Sequence, residues 1–198
     1  RPMHRGTGQR TDIFFQNHIA GRGHYLTMND TIQEAMDQVS ELTGRNYGVV
    51  EYVGHPEAER VLVIMASAAK TVQATLRHMG DEKVGMIYPR VYRPWDSKRF
   101  LEALPKSVKT IAAMDKTNED GAMNPLYLDV MGTLYQAGRT DVKVVNGVYG
   151  LASREFHPGH VKGVFDFLNN PDKDYFTVNI DDDVFHTNIP NQKFAIKD

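Results

Sequence analysis

The stretch Tyr149-Gly150-Leu151-Ala152-Ser153-Arg154-Glu155-Phe156-His157-Pro158 lies between an apolar run, Val142 to Val145, and a helical pattern that begins near Gly159. A strand that runs into a Gly-bearing loop and then through a Pro into a helix marks the sheet edge where α/β proteins place their binding surfaces. His157 and His160 flank the start of that helix at a spacing that could put both imidazoles on one face. Zinc would need one or two more donors, and His186 is the only hint of one, so surface or capping roles are favoured for the pair. Asp181-Asp182-Asp183 offers carboxylate oxygens suited to magnesium or calcium. Consecutive side chains point in alternate directions and no EF-hand spacing follows, so the run reads as a solvated strand end. The chain is therefore expected to hold no metal.

Two more loops stand where phosphate chemistry would be sought. Ala66-Ser67-Ala68-Ala69 follows a buried strand at the position of a Gly-rich phosphate loop, but its Cβ atoms would obstruct the close backbone approach a diphosphate needs. Neither a Walker motif nor a dinucleotide fingerprint is present, and only the free N–H groups of a helix N-terminus remain as a weak anion site. Lys116-Thr117-Asn118-Glu119-Asp120-Gly121 reads as an ordinary turn in which Gly121 supplies a positive φ. No Ser/His/Asp or Cys/His nucleophile arrangement can be assembled from the spacing, and no catalytic residue is assigned.

These loops need a scaffold, and the chain is long enough to build one. Its 198 residues are 41% hydrophobic, enough for one substantial core. The 23 basic and 25 acidic residues are well mixed and give a net charge of -2, which offers no electrostatic footprint for nucleic acid or an anionic membrane. No apolar run approaches the roughly 20 residues of a membrane span. With no cysteine, the chain can supply neither disulfides nor thiolate ligands for iron–sulfur clusters.

Residues 1–28 carry Arg-Gly pairs and three His, with one apolar patch at Ile13 to Phe15, and read as an arm. A helix is expected next, with Asp30 as N-cap, Gln33 completing a capping box, and Gly44 at its end. Strands are expected at Gly48 to Val53, Val61 to Met65, Val84 to Val91, Thr110 to Met114, Val142 to Val145 and Tyr175 to Ile180. Helices are expected after Ser67 as cap, and at Trp95 to Leu104, Leu126 to Ala137 and Gly159 to Leu168. Val-Leu-Val-Ile-Met at 61–65 is apolar on both faces, as a central parallel strand requires. The alternation predicts a three-layer αβα domain of the α/β class with a mostly parallel sheet and an N-terminal arm.

Several segments, in order, resemble pyruvate:ferredoxin (flavodoxin) oxidoreductases. They are Arg5-Gly6-Thr7-Gly8-Gln9 with Asp12 to Gln16, Gly54 to Val61, Arg90-Val91-Tyr92-Arg93-Pro94, and Ala103 to Lys109. Asp115-Lys116-Thr117 with Pro125-Leu126-Tyr127, Tyr149-Gly150-Leu151 with Glu155-Phe156, and Phe176-Thr177-Val178 with Asp182-Asp183-Val184 complete the series. The resemblance implies that residues 1–43 are an arm and helix at the tail of a thiamine-site domain. Residues 44–198 would then form a domain similar to the C-terminal domain of transketolases. It further implies a parent enzyme that converts pyruvate and coenzyme A to acetyl-CoA and CO2 with thiamine diphosphate, magnesium and iron–sulfur clusters, none of them held within this segment.

The implied partners are the other domains of the same polypeptide, a second copy in a homodimer, and ferredoxin or flavodoxin as electron acceptor. An intracellular setting, cytoplasm or organelle matrix, goes with that parent. Arg5, Thr7 and Gln9 are the residues implied to border the thiamine or coenzyme A site. An alternative is a structural domain of the same fold in another multidomain reductase, such as sulfite reductase. The chain departs from the family pattern with Arg10-Thr11 for Asn-Pro, Ala66, Ala68 and Ala152 for Gly, and Lys70 for Glu. Residues 118–121 also differ, where the family usually has Lys-Glu-Pro-Gly.

Overall fold

The computed structural model describes residues 8–180, 184–194 and 196, which fall into two compact units that divide after Val49. The first unit is dominated by one helix, α1 (Thr11–Thr43), of 33 residues. At 1.5 Å per residue it is about 50 Å long. Here the structure corrects the sequence reading. Asp30 is not an N-cap but lies in the middle of a continuous helix, and the segment read as an arm is helical from Thr11 onward. Glycines 21 and 23 cost helix propensity of about 1 kcal/mol each, yet the flanking residues carry the helix through them.

Gln33, expected in a capping box, instead binds the chain that follows the helix. Its amide donates to Asp37 Oδ1 at 2.8 Å and to Tyr47 O at 3.1 Å, and its carbonyl oxygen accepts from Val49 N at 2.9 Å. Gly44 ends the helix as expected, left-handed at φ 67°, with its N–H donating to Ser40 O.

The second unit carries a seven-stranded sheet. Its strands are β1 (Val50–Gly54), β2 (Arg60–Val63), β3 (Val84–Pro89), β4 (Thr110–Asp115), β5 (Lys143–Val148), β6 (Tyr175–Val178) and β7 (Asn188–Ile189), in the order β1-β3-β2-β4-β5-β6-β7. Every pairing is parallel except β1 with β3. Its helices are α2 (Ala68–Leu76), α3 (Ser97–Ala103), α4 (Pro125–Gln136) and α5 (Pro158–Phe167).

Two separate apolar clusters show the three layers. On one face α2 and α5 bury Ala69, Val72, Val161, Val164 and Phe165 against Leu62, Met114 and Phe176. On the other, α3 and α4 bury Phe100, Leu126, Val130 and Leu134 against Val61, Val63 and Ile111. Strand β2 feeds both clusters because alternate residues point to opposite faces, and Val61, Leu62, Val63 and Ile64 are all fully buried.

The glycines at 54 and 85 answer a packing need. A Cβ on Gly54 would meet the Gly85 backbone, and a Cβ on Gly85 would meet the Tyr52 ring, which crosses the β1–β3 pair there. Gly159 and Gly163 do the same for the C-terminal segment. Added Cβ atoms would strike Asn191 and Gln192, or Pro190 O, while Gln192 N donates to Gly159 O at 3.1 Å.

Candidate functional site

In a parallel sheet the strands deliver their loops to one rim, beyond their carboxyl ends, and that is where a site is sought first. Four segments meet the description: Ala66–Ser67 after β2, Lys116–Gly121 after β4, Tyr149–His157 after β5, and Asn179 after β6. Bonds between these segments tie them together. Tyr149 N donates to Asp115 O at 3.1 Å, the Tyr175 hydroxyl to Asn118 Oδ1 at 2.8 Å, and Asn179 Nδ2 to Glu155 O at 3.0 Å. Asp115 also accepts from Leu126 N at 3.2 Å, holding the start of α4 against the end of β4. Gly150, at φ 68°, lets the Lys116 side chain cross its backbone, where a Cβ would stand 2.8 Å from Lys116 Cε.

The two rim loops that lack expected glycines keep a glycine-like backbone. Ala66 has φ 57° and Ala152 φ 50°, both in the left-handed region, with Ser153 beside Ala152 at φ 61°. Each non-glycine residue there costs about 1–2 kcal/mol, and its methyl fills space a glycine would leave open. Ala68, the third such position, sits inside α2 and carries no such strain. Ser67 is not the N-cap that the sequence suggests. Its own φ and ψ are helical, its side chain makes no capping bond, and the first-turn amides of Ala69 and Lys70 are taken up by Ala66 O and Ser67 O.

His157 and His160 have the capping role. The His157 side chain accepts from the backbone N–H of His160, and His160 Nδ1 accepts from the backbone N–H of His157 at 3.0 Å, so each imidazole closes one end of the first turn of α5. His157 Nε2 lies 2.9 Å from Glu155 Oε2. The rings continue a column in which Tyr149 leans on Phe156, Phe156 stacks on His160, and His160 stacks on His157. Burial, and secondarily the neighbouring His157, holds His160 below the ordinary imidazole range. Burial, with Asp115 adding to it, pushes the Tyr149 phenol upward, so both groups stay neutral near pH 7.

Sequence reasoning missed one more cluster, at the loop from β3 to α3. Arg93 pairs with Asp129 on α4 at 2.8 Å and lies over the Tyr92 ring at 3.9 Å. The Tyr92 phenol is pushed up to about 12, chiefly by burial and then by its bond to Asp129. Next to it Trp95 Nε1 donates to Thr133 Oγ1 at 2.8 Å. The signal was present in Tyr92-Arg93-Pro94-Trp95, but the partner residues lie some 36 positions later, beyond the reach of local pattern.

Gln9 is exposed, with its Oε1 3.5 Å from Asn17 Nδ2, whereas Arg5, Thr7 and Asp181 to Asp183 lie outside the described residues. Open grooves occur at the opposite rim, one of about 290 Å³ beside Gly54, Arg77 and Gly80. Another, of about 150 Å³, lies between Met131, Tyr135 and Val142.

Comparison with known proteins decides what this scaffold is. Residues 58–161, from just before β2 into α5 and slightly over half of the chain, match the family model for pyruvate:ferredoxin oxidoreductase core domain II. The chain belongs to the pyruvate:ferredoxin oxidoreductase family. It is 46% identical over 189 residues to a pyruvate-flavodoxin oxidoreductase of Nostoc sp. (strain ATCC 29151 / PCC 7119), covering 93% of this chain and 46% of that protein. It is 44% identical over 192 residues to the pyruvate:ferredoxin oxidoreductase of Moorella thermoacetica, covering 95% and 16%. Over 198 residues it is 44% identical to the mitochondrial NADP(+) pyruvate dehydrogenase of Euglena gracilis, covering 96% and 11%. The chain thus spans less than half the length of these curated relatives. No helix among the described residues is long and apolar enough to cross a membrane.

The loop after β2 does not fit a diphosphate, one of the groups that the family resemblance implies. A diphosphate cradle needs free backbone N–H groups and room for close approach, and at the loop after β2 the Ala69 and Lys70 amides are bonded and the positive-φ residue is Ala66 rather than glycine. No three His, Asp or Glu side chains among the described residues stand together to hold a metal ion. The sequence has no cysteine for a cluster.

Proposed function

We propose that this chain is a non-catalytic scaffold and interface segment of a thiamine diphosphate-dependent oxidoreductase that converts pyruvate and coenzyme A to acetyl-CoA and CO2. The reading rests on family membership, and one observation gives it the scaffold role. The carboxyl-end rim, where an α/β sheet ordinarily binds its ligand, is closed by bonds between its own loops. In this reading thiamine diphosphate, magnesium and the iron–sulfur clusters are held by other domains of the same polypeptide. Ferredoxin, flavodoxin or an NADP-linked module takes the electrons, in keeping with the names of the relatives. The relatives compared above are all named for pyruvate, and nothing favours the reading as a sulfite reductase module.

Residues 1–43 are proposed to be the tail of the thiamine-site domain, with Arg5, Thr7 and Gln9 bordering the thiamine or coenzyme A site built there. The parent is proposed to be a homodimer.

The isolated chain is expected to show no thiamine diphosphate binding by calorimetry and no pyruvate-dependent dye reduction, whereas the full-length enzyme shows both. Micromolar binding to the isolated chain would overturn the scaffold role. Replacing Arg5, Thr7 and Gln9 together by Ala in the full-length enzyme is expected to lower turnover or coenzyme A use and to leave the melting of the isolated chain unchanged. Wild-type kinetics in that variant would remove their assigned role.

A further inference from the structure

At the start of α5 the His157 backbone N–H depends on an imidazole nitrogen that must be unprotonated to accept. His160 Nδ1 takes the His157 N–H at 3.0 Å, while the His160 N–H, which the His157 ring also faces in the capping box, donates to His157 O at 2.9 Å. In a usual capping box the same two bonds are made by a hydroxyl and a Glu or Gln, and those do not titrate near neutrality in this way. His160 is 5% exposed and pressed between the Phe156 and His157 rings. A proton on His160 Nδ1 would turn an acceptor into a donor facing another donor, next to the positive end of the helix dipole.

What the cap holds is wider than one helical turn. Upstream, the loop from Tyr149 is joined to the cap through the Tyr149–Phe156–His160 ring column and to β6 through Asn179 and Glu155 O. Downstream, the first turn of α5 is the seat of the C-terminal segment. Gln192 N donates to Gly159 O, and Asn191 and Gln192 lie where a Gly159 side chain would be.

We propose that the His157–His160 cap is an acid-sensitive latch, which above neutrality holds the rim loop 149–158 and the segment 188–192 on α5 and releases both as the pH falls.

Among the described residues few titratable or charged groups face the pair. Glu155 comes from the loop, on His157 Nε2; Tyr149 stands at the far end of the ring column, kept protonated by burial; and the C-terminal segment brings the uncharged amides of Asn191 and Gln192. Of these, Glu155 touches Nε2 of His157, away from the capping bond that His160 Nδ1 makes. The lowering of His160 fixes the sign. Its free value lies near 6.5, so the contribution of the cap is complete above that pH and falls away as the pH drops through the lower folded value.

The test uses the whole 198-residue chain. Hydrogen exchange followed by mass spectrometry, corrected for the intrinsic pH dependence of exchange, is expected to show at least tenfold loss of protection in peptides covering 149–161 and 188–194 between pH 7.5 and 5. Peptides from β2 and β4 should keep theirs. A non-titrating cap, His157→Ser with His160→Gln, is expected to retain protection at pH 5, because Ser at N-cap and Gln at N3 make the same two bonds. Independently, an NMR titration should place the His160 midpoint below the ordinary imidazole range. Protection in the wild type that does not change with pH, equal loss in the double variant, or an ordinary His160 midpoint would each overturn the latch.

Discussion

At the scale of single residues, the rim preserves a backbone conformation that its side chains do not favour. Ala66 and Ala152 sit at φ 57° and 50°, in the left-handed region that favours glycine, at positions where the family resemblance leads one to expect it. Replacing either by Gly removes the Cβ clash of about 1–2 kcal/mol but gives the unfolded chain more freedom, worth roughly 0.4–1 kcal/mol. Ala66→Gly and Ala152→Gly are each expected to stabilise the chain by about 0.5–1 kcal/mol in denaturant melts. A loss of stability in both would mean that the methyls are needed to pack the rim. The sequence exposed these positions as departures, and it could say that any need for close approach by a ligand or backbone was relaxed there. It could not say that the left-handed backbone had remained, because φ is set by the strand end and helix start on either side of the loop. The two histidines were legible as a cap in the same limited sense. Their spacing suggested it, but the reciprocity of the two bonds and the ring column were not, since Tyr149 and Phe156 enter through the loop path.

At the scale of elements, β2 is the strand that both cores share. Val63 is fully buried and paired to Ile87 on one side and Ala113 on the other. Val63→Asp would place an unpaired charge between the two helical layers at a cost of several kcal/mol, comparable to the stability of a domain, and is expected to abolish folding. A soluble variant melting cooperatively at the wild-type midpoint would contradict the central placement. The strand was legible because burial on both faces removes polar alternation, a signal no surface strand gives. The one long helix was not. Its exposed face carries Phe14, Phe15, Tyr25 and Leu26 without a clean stripe, and two internal glycines mimic a linker, so periodicity started the helix at Asp30 rather than Thr11. Gly159 and Gly163 read as ordinary helix residues in the sequence, and their purpose emerges only from the segment laid across them. Gly163→Val should therefore leave α5 intact, as judged by far-UV circular dichroism, and should raise exchange in 188–194. Unchanged protection there would show that Pro190 can shift without loss.

At the scale of the whole molecule, a family of large oxidoreductases is represented here by a layered domain whose rim segments are bonded to one another. Its fold was readable from the alternation of strands and helices, while the direction of β1, antiparallel to β3, and the existence of β7 were not, because two residues and one antiparallel edge leave no periodic trace. That two-residue strand has a consequence beyond the count of strands. It lies along β6, whose Tyr-Phe-Thr-Val sequence combines aromatic and β-branched residues with no charge. A bare edge of that composition is a template for other chains, and natural sheets hide such edges behind short strands. Shortening the chain to end at Ile180 would remove the cover while leaving both helical layers in place. The shortened protein is expected to scatter light within hours at tens of micromolar while the 198-residue chain stays clear. The short strand would then act as a guard against self-association, giving the segment that continues beyond the sheet a duty in solubility as well as in shape.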